Sequence, residues 1–172
     1  GDRDTDSMPS VLYICGSNFI SNTYFQDLVD WRRKNGFVVY TATTFEIGSS
    51  FNDIKSYIDD AYFTWENPPE YVVLVGDTNF ISQSTASGGD TDYPYTLIDG
   101  NDLLPEIFIG RIPAGSSEDL NNIINKTLVY EKASFIEFTG TEWYETAGLV
   151  GDPSPSGNSV IITNEYIENT MD

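Results

Sequence analysis

The run Tyr71-Val72-Val73-Leu74-Val75-Gly76-Asp77 decides the fold. Apolar and aromatic side chains follow one another without a polar break, the run is too short for a helix, and it stops at a glycine. That is a strand apolar on both faces, of the kind found in a parallel sheet covered by helices on each side. Just upstream, Asn67-Pro68-Pro69 ends an amphipathic stretch in which Phe51, Ile54, Ile58, Ala61, Tyr62 and Trp65 share one helical face. Further upstream, Val11 to Cys15 runs into Gly16-Ser17-Asn18, and Phe37 to Ala42 forms a second apolar run. Between these two strands, Phe25, Leu28, Val29 and Arg32 recur at helical spacing from Thr23 to Asn35, with Asn35-Gly36 as the stop.

Downstream, Glu106-Ile107-Phe108-Ile109-Gly110 reads as a fourth strand. Ser116 and Asp119 then have the spacing of a capping box, with Asp where Glu or Gln is usual. They precede Leu120, Ile123, Ile124, Thr127 and Tyr130 on a third helix. Thr146 to Val150 reads as a fifth strand, and Ser159 to Met171 as the start of another helix. The order predicts an α/β domain with a mostly parallel sheet of about four strands, order 2-1-3-4, in a flavodoxin-like three-layer arrangement. The fifth strand opens a new unit. Ligands in such sheets bind beyond the carboxyl ends of the strands near the switch in order, so the loops that begin at Cys15-Gly16 and Gly76-Asp77 carry the functional interest.

At 172 residues the chain is one domain, or one domain with a piece of a second. It has no histidine and a single cysteine, which excludes Cys/His and Ser/His nucleophilic pairs, CxxC zinc sites and internal disulfides. Oxygen chemistry is what remains. Cys15 reads as a small buried apolar residue, with no imidazole to activate it. The net charge of −19 repels phosphate backbones, and the basic triplet Arg32-Arg33-Lys34 fits the last turn of a helix, so nucleic acid is not an expected partner. With 40% apolar and 14% aromatic residues the chain has enough to bury a core, and most aromatics fall at core-facing positions. No apolar run approaches the length of a membrane span, and the first residues, Gly1 to Asp6, read as a trimmed start without a signal peptide. Ser87 to Asp92 lacks the GK[ST] of a phosphate loop and reads as a mobile turn.

The stretch Asp99-Gly100-Asn101-Asp102-Leu103-Leu104-Pro105-Glu106 is the richest in potential ligands. A hard cation such as Ca2+ takes about 6–8 oxygen ligands, which loops supply as carboxylates and backbone carbonyls at short spacing. Asp99, Asp102 and Glu106 are close enough in sequence to curl round one ion, Gly100 allows a sharp turn, and Asp77 can enter from the neighbouring strand. The spacing is not that of an EF-hand. A solvated acidic turn, in which Asp-Gly and Asn-Asp serve only turn geometry, accounts for the same residues.

Taken in order, Tyr71 to Asp77, Asp99-Gly-Asn-Asp102, Glu106-Ile-Phe-Ile-Gly-Arg111-Ile-Pro, Glu118-Asp-Leu and Tyr130-Glu131 resemble the gingipain family of cysteine peptidases, from about Asp27 to Gly151. The resemblance implies a caspase-like α/β catalytic unit of two subdomains. Residues 1–140 correspond to the first, and residues 141–172 to the opening strand and helix of the second. The family's catalytic histidine and cysteine lie further on in the second subdomain, and Cys15 matches neither. The resemblance also implies a structural Ca2+ held by the Asp77 carboxylate, the Asp99 carbonyl, the Asp102 carboxylate, the Leu104 carbonyl and the Glu106 carboxylate. Asp99 stands where the family can carry a valine-like residue, so its side chain is free to add a ligand or to point away. Asp152 to Asn158 corresponds loosely to a glycine-rich loop. Arginine-specific members carry an aspartate shortly after that loop, where this chain runs Val160-Ile161-Ile162, so the resemblance does not extend to arginine specificity.

The expected function is therefore a noncatalytic, Ca2+-binding amino-terminal scaffold of a secreted or cell-surface gingipain-like endopeptidase. Its expected partners are the second subdomain of the same polypeptide and the protein substrates of the parent enzyme. An extracellular Ca2+-dependent binding or adhesion module without peptidase activity is the alternative. If the final strand and helix lack their partner subdomain, Val160, Ile161 and Ile162 are expected to be exposed.

Overall fold

A computed structural model describes residues 8–16, 18–86 and 89–134, together with residues 165 and 169. The chain divides into two compact units, Gly1–Lys132 and Ala133–Asp172. In the first, β1 (Ser10–Cys15), β2 (Val38–Thr43), β3 (Tyr71–Val75) and β6 (Phe108–Ile112) form one sheet in the order β2-β1-β3-β6, and every neighbouring pair is parallel. The expected 2-1-3-4 order is thus the observed one, with β6 as the fourth strand of the sheet.

Alternation along the strands divides the core into two layers. Val11, Tyr13, Cys15 and Val75 face α1 (Thr23–Lys34) and α4 (Ser117–Glu131), meeting Phe25, Leu28, Val29, Leu120, Ile124 and Leu128. Leu12, Ile14, Val72 and Leu74 point the other way, toward Ile54 and Ile58 of α3 (Phe51–Thr64) and toward Ile81, Tyr95 and Ile107. Two faces of buried apolar side chains explain why β1 and β3 read as continuous apolar runs.

Helix ends follow local chemistry. Asn22, Ser50 and Ser116 each accept a backbone N–H from the first turn of α1, α3 and α4, the last from Asp119 as its spacing suggested. Arg32, Arg33 and Lys34 lie in the last turn of α1, which Asn35 caps and Gly36 leaves at φ +88°. Asn22 Nδ2 donates to Asn121 Oδ1 at 2.8 Å, tying the starts of α1 and α4 together.

Several expectations need correction. The fourth strand of the sheet is Phe108–Ile112 rather than Glu106–Gly110, because the Glu106 amide donates to the Thr96 carbonyl at 3.0 Å and the ladder begins only where Phe108 N–H reaches Glu70 O. Part of the stretch expected as a turn is strand, for β4 (Ser84–Ala86) and β5 (Gly89–Thr91) form an antiparallel hairpin. Tyr71 is exposed, so β3 is not apolar-buried at its first position. Tyr130 points outward on α4, and Leu128 takes the core place instead. A short α2 (Thr44–Ile47) was not foreseen; Thr43 and Glu46 form its capping box. The fifth strand and most of the final helix, with Val160, Ile161 and Ile162, lie outside the described residues, of which Glu165 and Asn169 are helical.

Candidate functional site

The sheet's carboxyl edge is built around two glycines. The Gly16 amide donates to Val75 O at 2.8 Å, and a Cβ on Gly16 would lie 2.7 Å from Phe80 Cβ. Gly76, at φ +142°, brings a second backbone against the same Phe80 ring. Past this point the chain makes a long excursion, residues 76–107, before returning as β6. All five expected metal-binding residues lie on that excursion.

Asp77 sits at its start. Its amide donates to Ala114 O at 3.0 Å, its carbonyl accepts from Phe80 and Ile81, and its Oδ1 accepts the Thr78 amide at 2.7 Å. A half-buried side chain is thereby fixed just beyond β3. Glu106 sits at the other end. Its Oε2 accepts the Ile98 amide at 2.7 Å while its own amide reaches Thr96 O. Between them Asp99 and Asp102 are exposed, Gly100 turns the chain at φ +81°, and Asp102 Oδ1 accepts the Leu104 amide at 2.9 Å. The Tyr93 hydroxyl donates to the Leu103 carbonyl, while the Leu103 and Leu104 side chains point to solvent.

The donor chemistry suits a hard cation: three carboxylates and the carbonyls of Asp99 and Leu104, all oxygen. Backbone amides hold one oxygen of each of Asp77, Asp102 and Glu106. Among the described residues no three His, Cys, Asp or Glu side chains are gathered closely enough to hold an ion as they stand. The arrangement presents donors along one excursion; binding an ion requires the exposed 99–104 turn to close toward Asp77 and Glu106.

Sequence reasoning missed the residue that anchors this region. Arg111, on β6, donates through Nε and Nη2 to both oxygens of Asp92 at 2.8 and 2.7 Å, and through Nη1 to Gly76 O at 2.9 Å and Ile81 O at 3.0 Å. An arginine inside an otherwise apolar strand was the available signal, since a largely buried guanidinium requires partners. An open pocket of about 220 Å³ lies against this pair, lined by Thr78, Gln83, Asp90 and Thr91 as well as Asp92 and Arg111. Tyr95 is fully buried beside it and donates to Ser82 O; burial pushes its hydroxyl up to about 12, so it remains protonated.

Cys15 is fully buried, and burial alone pushes its thiol up to about 12. As expected, it is a packing residue and not a nucleophile at neutral pH.

A second polar anchor joins α1 to the end of α4. Arg32 donates through Nη1 and Nη2 to Glu131 at 2.5 and 2.7 Å, and Trp31 Nε1 donates to the same carboxylate at 2.7 Å. The Arg32 hydrogen bond, and secondarily that of Trp31, holds the Glu131 carboxyl below its ordinary value against the opposing effect of burial. Lys132 lies over the Trp31 ring at 5.2 Å.

With this geometry in place, the chain can be compared with known proteins. A family model described as peptidase family C25 matches residues 4–172. Gingipain R2 of Porphyromonas gingivalis is 35% identical over 148 residues, covering 83% of this chain and 20% of that protein. Lys-gingipain W83 of the same organism is 33% identical over 158 residues, covering 88% of this chain and 9% of that protein. The crystal structure of the Arg-specific cysteine proteinase gingipain R matches with a TM-score of 0.66 at 28% identity, over 74% of this chain and 29% of that one. The chain therefore spans a fifth or less of the length of these curated relatives.

Proposed function

The chain belongs to peptidase family C25, and from that premise we propose that it is a noncatalytic scaffold within a secreted or cell-surface gingipain-like cysteine endopeptidase, stabilised by a structural Ca2+. The observation that carries the scaffold reading is the state of Cys15: the one thiol in a chain without histidine is sealed in the core and held protonated. In the parent enzyme a thiolate supplied elsewhere attacks a peptide carbonyl with an imidazole as proton shuttle. Residues 1–140 form the first subdomain, and residues 141–172 begin the second, the subdomain that carries the dyad. Protein substrates belong to that assembled enzyme. Among the described residues no helix is long and apolar enough to cross a membrane.

Calcium serves as a structural tie. Asp77, Asp102 and Glu106 supply carboxylates, and Asp99 and Leu104 supply carbonyls. Their oxygen-only chemistry and the amide bonds that orient the three carboxylates support this reading. An ion that binds only the native state stabilises it by mass action, about 2.7 kcal/mol at a hundred times its Kd. Adding CaCl2 to the intact chain is expected to raise the melting temperature, and Asp102→Ala to abolish the rise. No shift in the unsubstituted chain would refute calcium binding. Peptide cleavage by the purified chain that stops on alkylation of Cys15 would refute the scaffold role.

A Ca2+-dependent adhesion module is the second reading. It is favoured by the aromatic patch at the amino ends of β3 and β6, where exposed Tyr71 and Phe108 stack at 5.3 Å and Phe37 meets Tyr71 at 6.0 Å. The next segment of the parent polypeptide discriminates: a histidine and a cysteine at strand ends support the peptidase, and neither supports adhesion.

A further inference from the structure

We propose that Arg111 is the positioning residue of the calcium loop, an inference that rests on the calcium reading above. One guanidinium holds both limbs of the excursion. On the outgoing limb Nη1 binds the carbonyls of Gly76 and Ile81, which bracket Asp77. On the returning limb Nε and Nη2 grip Asp92, the residue that starts the short 3₁₀ turn Tyr93–Thr96. That turn carries the remaining donors, because the Tyr93 hydroxyl binds Leu103 O and Thr96 O accepts the Glu106 amide. Every side of the proposed site is thus one or two hydrogen bonds from Arg111.

The clamp is suited to this task by its geometry. The Arg111 side chain is 12% exposed and the Asp92 side chain 23%, so the pair is shielded and its four contacts are directional. Lysine would keep the charge but not the planar fork, and cannot reproduce bonds to a carboxylate and two carbonyls that approach from different directions. Asp92 neutralises the guanidinium, leaving Asp77, Asp102 and Glu106 to present net negative charge to a cation. Arg111 itself is not a ligand. Its effect on the ion passes through the residues it orients, and outer partners of this kind typically change metal affinity about 10–100-fold.

The test titrates CaCl2 calorimetrically into the intact chain and its Arg111→Lys and Asp92→Asn variants. Ile124→Val, on the opposite face of the sheet, serves as a control for stability loss alone. The clamp predicts Ca2+ binding weakened about 10–100-fold in both clamp variants and unchanged in I124V. In EDTA, hydrogen exchange should rise at residues 77–82 and 92–98 in R111K, with the β1 and β3 amides still protected. Wild-type affinity in R111K and D92N would overturn the positioning role while leaving the calcium site intact. Exchange that rises equally across the sheet and the excursion would reduce Arg111 to general stabilisation and also overturn it. A wild-type chain that takes up no Ca2+ would overturn the calcium reading itself, and this inference with it.

Discussion

Strands β1 and β3 bury Leu12, Ile14, Leu74 and Val75 at 0% exposure between two helical layers, whereas the excursion between β3 and β6 leaves Leu103 at 75% and Leu104 at 68%. The first region is held by apolar contact on both faces of a sheet. The second is held where it meets the sheet by Ile81, Tyr95 and Ile107, and elsewhere by separate polar ties: Arg111 to Asp92, Tyr93 to Leu103, Glu106 to the Ile98 amide. Stability distributed over a packed core makes the sheet a rigid base. A loop resting on a few directional bonds can be organised further by a ligand without disturbing that base.

The largest effect expected from this contrast comes from the sheet. Leu74→Ala removes a fully buried side chain between β3 and the α3 layer, and should cost about 2–5 kcal/mol in denaturant unfolding. A cost under about 1 kcal/mol would mean that the core is not the base described. Next comes Gly16→Ala at the junction, where the new methyl would meet Phe80 Cβ at 2.7 Å. Phe80 packs against both core clusters, so relief by movement of this ring loosens the excursion's first turn, and the expected loss is about 1–3 kcal/mol. A neutral outcome would show that Phe80 shifts freely and that the junction is soft.

Much of this base was legible in the sequence. Apolar runs at Val11–Cys15 and Tyr71–Val75 and the helical spacings of α1, α3 and α4 fix the layers, because burial on two faces leaves no polar positions to confuse the pattern. Arg32-Arg33-Lys34 and the Ser116–Asp119 cap were legible because capping and macrodipole effects act within one turn. α2 carried a signal that went unused, the Thr43 to Glu46 spacing of a capping box. The register of β6 was not legible, since Ile107, Ile109 and Ile112 suit a strand beginning at either Glu106 or Phe108, and only the Glu106 bond to Thr96 decides it. The Arg111 clamp joins residues far apart in the chain, and no local pattern announces such a pair. The ligand residues themselves were found by resemblance and loop chemistry, but their order in space depends on those long-range bonds.

The smallest predicted effect concerns the anchor at the end of α4. Glu131→Gln removes the charge gripped by Arg32 and should cost about 1–2 kcal/mol near neutral pH, read from denaturant unfolding. Because the folded-state carboxyl is held below its ordinary value, its contribution is present above the unfolded value of about 4.3 and is lost as pH falls through the folded value. The gap between wild type and E131Q should therefore close on acidification. A gap that persists at acid pH would place the cost in lost packing instead of charge.

The central claim is that the polar excursion, and not the apolar sheet, is completed by a cation. Determining the structure of the chain crystallised in millimolar CaCl2 tests it most directly. One ion bound by carboxylate oxygens of Asp77, Asp102 and Glu106 at about 2.3–2.6 Å, with β1 and β3 unmoved, is the predicted result. An ion bound elsewhere, or none at saturating CaCl2, would contradict it.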